Sequence, residues 1–231
     1  MSSINKTARV AGFLYLLLLP LGIFGLLLPS SLILPGDAAR TADNIMASES
    51  LFRLGIMSAL ATQLLNIFVV LALYKLLNRV DKNQATLMVL FSLLGVPIAM
   101  LSELNKFGVL LVLNGTHYLT AFTAKQVQAL VSLFLDLHQY GINIAGIFWG
   151  LWLFPMGYLV FKSGFVPRIL GVLLMIGCFG YLIDSVTFLL FPNLNITISQ
   201  FTFIGEILLP LWLLIKGIDA EGWEKHALEL A

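Results

Sequence analysis

Charge is scarce in this chain. Lys, Arg, Asp and Glu make up 11% of its 231 residues, against about 25% in a soluble globular domain. So few charges do not cover a globule in water, which excludes an ordinary soluble fold. The net charge is +1, so no basic surface points to a nucleic-acid partner. There is one cysteine, Cys178, set in an apolar run. It excludes an intrachain disulfide and reads as a small core residue. The three histidines are His117, His138 and His226. The topology derived below puts His226 on the opposite side of the membrane from the other two, which excludes a three-histidine zinc site. The chain has no G-x-S-x-G elbow, no H-E-x-x-H pair and no Walker A loop. These absences point away from an enzyme, and neither a cofactor nor a metal is expected.

What the chain has is apolar length. Hydrophobic residues make up 59% of it, with a mean hydropathy of +0.97. An apolar run of about 18 or more residues needs a bilayer. Such runs predict an all-α integral membrane bundle of six transmembrane helices over residues 9–28, 52–77, 86–113, 123–164, 167–191 and 199–217. The first run is too long for a signal-peptide core and lacks a small-residue cleavage site, so it reads as an uncleaved span. Residues 29–50 read as the longest loop. Thr123 and Gln126 match a capping box that starts the fourth helix. That helix is a single long element, polar at Asp136, His138, Gln139 and Asn143 and apolar through Trp149, Trp152 and Pro155. Residues 1–218 form one membrane domain. Residues 219–231 form a short tail with Trp223, Ala227 and Leu230 on one face.

Orientation follows from Lys and Arg. With the N-terminus inside, nine of the thirteen fall on the cytoplasmic side: Lys6, Arg9, Lys75, Arg79, Lys82, Lys162, Arg168, Lys216 and Lys225. Six spans then return the C-terminus to that side, giving an N-in, C-in topology. Two Asn-x-Thr sequons, at Asn114 and Asn195, fall in outer loops.

Two stretches carry a family resemblance. One is Gly150-Leu-Trp-Leu-Phe-Pro-Met-Gly-Tyr158, followed by Ser163-Gly-Phe-Val-Pro-Arg-Ile-Leu-Gly171 and, further on, Tyr181 to Asp184. The other is Ala8-Arg-Val-Ala-Gly-Phe-Leu-Tyr15. They resemble the bacterial multi-pass membrane family catalogued as domain of unknown function 4386. The resemblance covers nearly the whole chain and implies a protein of the bacterial cytoplasmic membrane with about six spans. It implies no activity and supplies no catalytic residue.

Ionisable groups within spans cost about 2.5–3.5 kcal/mol each on insertion scales and are functional suspects by default. The candidates are Glu103, Lys106, Asp136, Asp184 and Glu206, with His138 nearer the surface. Counted along helices of alternating direction, all six fall in the outer half of the membrane. Glu103 and Lys106 are three apart and share a face, so they can pair. Asp136 and His138 are two apart, about 200° around the helix, and do not. Asp136 shares its face with Gln139, Tyr140 and Asn143. Tyr181 and Thr187 flank Asp184 on its face. Glu206 lies four before Pro210, which frees its carbonyl. One expectation is an outer-half polar pocket of Glu103, Lys106, Asp136, His138, Asn143, Asp184 and Glu206 that binds or moves a small solute or cation. The other is an accessory membrane protein acting through contact with another membrane protein, its polar groups forming a buried stabilising network. In either case the lipid bilayer is the first partner.

Overall fold

The computed structural model describes residues 3–115, 121–191, 194 and 196–229, with side chains from residue 4 to residue 224 within those ranges. Thr116, His117 and Asn195, along with the side chains of Lys225, His226, Ala227 and Leu230, lie outside the described residues. Among the described residues every element is helical: α1 Ser3–Ser30, α2 Ala38–Ala47, α3 Glu49–Leu77, α4 Lys82–Leu113, α5 Ala124–Leu151, α6 Leu153–Ser163, α7 Arg168–Leu190, α8 Ser199–Thr202, α9 Ile204–Ile215 and α10 Ala220–Glu229.

Five stretches are long and apolar enough to cross a membrane: Ile4–Ser30, Glu49–Leu77, Lys82–Leu113, Ala124–Ser163 and Arg168–Leu190. Ser199–Ile215 is apolar but shorter. Polarity is inverted relative to a water-soluble protein. Phe13, Leu26, Leu54, Phe68, Leu101 and Leu104 are all more than half exposed. Gln63, Asn66, Ser102, Glu103 and Lys106 are buried. An apolar exterior of this extent is unfavourable in water and favourable against lipid. These helices point to a membrane protein.

The turns follow local chemistry. Asp81 caps α4, its Oδ1 accepting from the amides of Asn83 at 3.0 Å and Gln84 at 3.1 Å. The capping box at α5 is formed: Gln126 Oε1 accepts from the Thr123 amide at 2.8 Å, and Thr123 Oγ1 from the Gln126 amide at 3.4 Å. Gly164 ends α6 in the left-handed region, φ 69°, and Pro167 opens α7.

Three differences from the sequence expectation have physical causes. The long loop at residues 29–50 contains α2. Asp37 caps it through the Arg40 amide at 2.9 Å, and Thr41, Ala42 and Ile45 form its buried stripe. The fourth predicted helix is interrupted at Trp152 between α5 and α6. Pro155 has no N–H for the Leu151 carbonyl, so one rung is missing, while the Trp152–Phe148 and Met156–Trp152 bonds persist. The sixth run is divided at Phe203, where the Glu206 amide turns back to the Phe203 carbonyl at 2.8 Å.

The chain resolves into two compact units, and α1, α3, α4 and α5 each contribute to both. The first comprises Met1–Leu18, Leu65–Val96 and Asn143–Ala231. Its core includes Ala8, Leu73, Met88, Leu153, Met156 and Leu174. Four chain segments meet at one end of it. Asn5 Oδ1 accepts from the Ile218 amide at 2.9 Å. The Asp219 amide donates to the Phe165 carbonyl at 3.3 Å. Trp223 Nε1 donates to the Leu76 carbonyl at 2.9 Å, and the Arg79 guanidinium stacks 3.7 Å over the Trp223 ring. The second unit comprises Leu19–Leu64 and Pro97–Ile142. Its core is built on Ile45, Phe52, Ile56, Val109, Leu110 and Val131.

Candidate functional site

The residues singled out from the sequence fall into local groups with different chemistry. In the second unit, Glu103 and Lys106 on α4 form a buried ion pair. Lys106 Nζ stands 3.3 Å from Glu103 Oε1, to which it donates, and 3.2 Å from Oε2. The two side chains are 4% and 6% exposed. His138 on α5 faces this pair, with Nδ1 3.9 Å from Glu103 Oε1. Nδ1 also lies 3.1 Å from the Ser102 carbonyl. A carbonyl only accepts, so Nδ1 carries the proton and points away from the carboxylate's lone pairs. Gly141 lets α5 approach Ser102 closely enough for this contact. Glu103 Oε2 accepts no hydrogen bond in return.

Asp136 is exposed on α5, facing away from His138 as their spacing predicts. Its neighbours on that face, Gln139 and Tyr140, are exposed as well, and Asn143 is half-buried. The Asn143 carbonyl accepts from Ser185 Oγ at 3.2 Å.

Two carboxylates lie in the first unit. Asp184 on α7 receives the chain entering α8: its Oδ1 accepts from the Ile198 amide at 2.6 Å and its Oδ2 from the Ser199 amide at 2.9 Å. Helix-start amides have no intrahelical partner, so Asp184 acts as their acceptor from a neighbouring helix.

Glu206 has no such employment. It sits in the first turn of α9, where the helix dipole favours negative charge. Tyr15 Oη of α1 donates to Oε2 at 3.3 Å. The Tyr181 phenol of α7 is the second group that interacts with the carboxylate. Oε1 is buried and has no hydrogen-bond partner among the described residues. Trp152 closes the far side of Tyr15, the ring centroids 5.7 Å apart. This is aromatic packing, as expected for a tryptophan away from the interfaces.

Sequence reasoning passed over Tyr15 and treated Tyr181 only as a flank of Asp184. One signal was available. Tyr15 is the only polar side chain in the run from Phe13 to Leu19, and a buried phenol needs an acceptor. Elsewhere in the first unit, a small cavity between Leu73, Leu77, Val160, Phe165, Leu209 and Leu213 has an entirely apolar lining. Among the described residues no group of three or more His, Cys, Asp or Glu is placed to hold a metal.

Comparison with known proteins decides the family. Residues 10–217 match the family described as Domain of unknown function (DUF4386). The chain belongs to that family. The match includes the stretch Gly150–Gly171 that carried the resemblance. This DUF4386 protein is also 38% identical over 154 residues to an uncharacterized protein of Archaeoglobus fulgidus, covering 67% of this chain and 78% of the relative. No solved structure matches it.

Proposed function

We propose that this DUF4386 protein is a non-enzymatic six-span protein of the cytoplasmic membrane that binds a small cation at Glu206. In this reading residues 1–218 are one membrane domain, with both chain ends on the cytoplasmic side. The contacts of Asn5, Leu76, Phe165 and Ile218 support the span count. They bring the start of α1, the end of α3, the turn before α7 and the residues after α9 to one end. Each pair of crossings returns there, and Ser199–Ile215 makes the last return. Arg79 lies at that end, and Lys75, Lys162, Arg168 and Lys216 are close to it in sequence, as the positive-inside rule requires. Cysteine labelling with an impermeant reagent on whole cells tests the topology in a Cys178→Ala background. Asn114→Cys is expected to label from outside and Asn83→Cys only after permeabilisation.

One observation carries the choice of Glu206. Glu103 and Glu206 each have a buried oxygen without a hydrogen bond among the described residues. Lys106 Nζ stands 3.2 Å from that of Glu103, and two amides occupy Asp184. Among the described residues, Glu206 alone of the three thus has neither a cation nor an amide beside its carboxylate. The outer-half pocket of seven residues contracts in this reading to a single carboxylate and its tyrosines. A bound ligand stabilises by about 2.7 kcal/mol at a hundredfold excess over its Kd. For a chain of this size that corresponds to a rise in melting temperature of roughly 5–10 °C. The purified protein is expected to show such a rise across a titration series of Na+, K+ or H+, and Glu206→Gln to abolish it.

A second reading is favoured by the Glu103–Lys106–His138 group and the Asp184 cap. These are the contacts of a buried stabilising network in a protein that acts through another membrane protein. That reading predicts that Glu206→Gln changes the melting temperature equally at every cation concentration.

A further inference from the structure

The Glu206 site has the composition of a proton site rather than a metal site. Resting on the reading that Glu206 binds a small cation, we propose that the cation is the proton and that Glu206 is a reversible proton carrier served by Tyr15 and Tyr181. Three observations lead there. The first is the ligand supply. The groups acting on the carboxylate are the phenols of Tyr15 and Tyr181, and Tyr15 already uses its hydrogen towards Oε2. Two carboxyl oxygens and two phenols fall short of the six to eight oxygens a Ca2+ takes or the octahedral shell a Mg2+ demands. A proton needs one lone pair, and Oε1 has one unused. The second is space. Oε1 is closed off from solvent, and a proton is the one cation that occupies such a position without a cavity.

The third is a path. Tyr15 and Tyr181 lie in the interiors of α1 and α7, and Glu206 lies in the first turn of α9, just past the division at Phe203. Tyr181 and Asp184 are three apart on α7 and share a face. Asp184 in turn holds Ile198 and Ser199, at the end of α7 where the chain turns into α8. Tyr181 and Asp184 thus lie on one face of α7 between Glu206 and the start of α8. The exchange is balanced: a hydronium ion gives up one proton, one O–H bond forms at Oε1, and no electrons are transferred. Tyr15 donates to Oε2 in both states.

Infrared difference spectroscopy of the full chain in lipid nanodiscs, stepped through pH, tests this. In the wild-type-minus-Glu206→Gln double difference, which removes the bands of the chain's other carboxyl groups, one carboxyl C=O band is expected to appear on acidification. In Tyr15→Phe it is expected to move to higher frequency, because the carboxyl loses a hydrogen bond. Acid-induced carboxyl spectra that are identical in wild type and Glu206→Gln overturn the proton assignment. So does a band whose position does not change in Tyr15→Phe, which carries the test if Glu206→Gln fails to fold. If Glu206 stays ionised throughout and its carboxylate band responds to Na+ or K+, the cation site stands and the proton falls. If neither protons nor these cations alter it, both readings fall together.

Discussion

Lys106→Met is expected to destabilise the protein by about 3–5 kcal/mol, the range for removing one partner of a buried ion pair. The magnitude rests on what stays behind. Glu103 is 4% exposed, and among the described residues its only cation within 3.5 Å is Lys106 Nζ. His138 presents no second donor, because its Nδ1 hydrogen is committed to the Ser102 carbonyl. Methionine keeps the length and helix preference of lysine, so the loss reports charge rather than shape. A fall in melting temperature on the order of 10 °C follows for a chain of this size. The double variant Glu103→Gln/Lys106→Met is expected to recover most of it, since a neutral pair leaves no isolated charge. The measurement is a double-mutant cycle on thermal unfolding in detergent. A loss under about 1 kcal/mol, typical of solvent-exposed pairs, would mean that water reaches Glu103. The prediction also separates this group from Glu206, where no cation is present to remove.

How much of this could be read from the sequence depends on the range of each interaction. Glu103 and Lys106 pair because they are three apart on one helix, and that spacing is visible in the chain. The capping box of Thr123 and Gln126 is equally local. Apolar run length identified the five long helices. Helix α2 was hidden because ten residues whose buried stripe holds only two apolar side chains, Ala42 and Ile45, give too little signal inside a polar segment. The interruption at Trp152 was visible only as a proline four residues beyond the carbonyl it deprives.

The partners of the candidate site were not legible in the chain. Counting along helices placed carboxylates at similar levels, yet which side chain they meet depends on how each helix is rotated. Tyr15 reaches Glu206 across 191 positions of sequence. Asp184 meets amides fourteen and fifteen positions on, after a turn of the chain. The same holds for Trp223, whose indole finds the Leu76 carbonyl. The chain shows that these polar groups need partners, and the packing decides which ones they get.

Gly157→Leu is expected to destabilise the protein by more than about 3 kcal/mol. Overpacking a tight interface typically costs about 1–3 kcal/mol and more where the obstacle is backbone. Here the obstacle is backbone on α7. Even a Cβ on Gly157 would lie 2.5 Å from the Gly171 carbonyl oxygen, 2.7 Å from Met175 Cγ and 3.0 Å from the Met175 amide nitrogen. Gly171 faces the reciprocal problem, since its own Cβ would meet the Gly157 carbonyl and the Phe161 amide. Helices α6 and α7 are joined by a short turn at Gly164 and Pro167, so they cannot slide apart to relieve the clash. Small residues let membrane helices touch backbone to backbone, and van der Waals packing then does what the hydrophobic effect cannot do in lipid. Separating α6 from α7 also tilts α7, which carries Tyr181 and Asp184. The variant is therefore expected to lose both its melting transition and its acid-dependent carboxyl band. Gly157→Ala tests the grading: it should fall between wild type and Gly157→Leu in melting temperature, with the carboxyl band retained but shifted. If Gly157→Ala matches wild type in both, the helices are not held at the separation the structure shows.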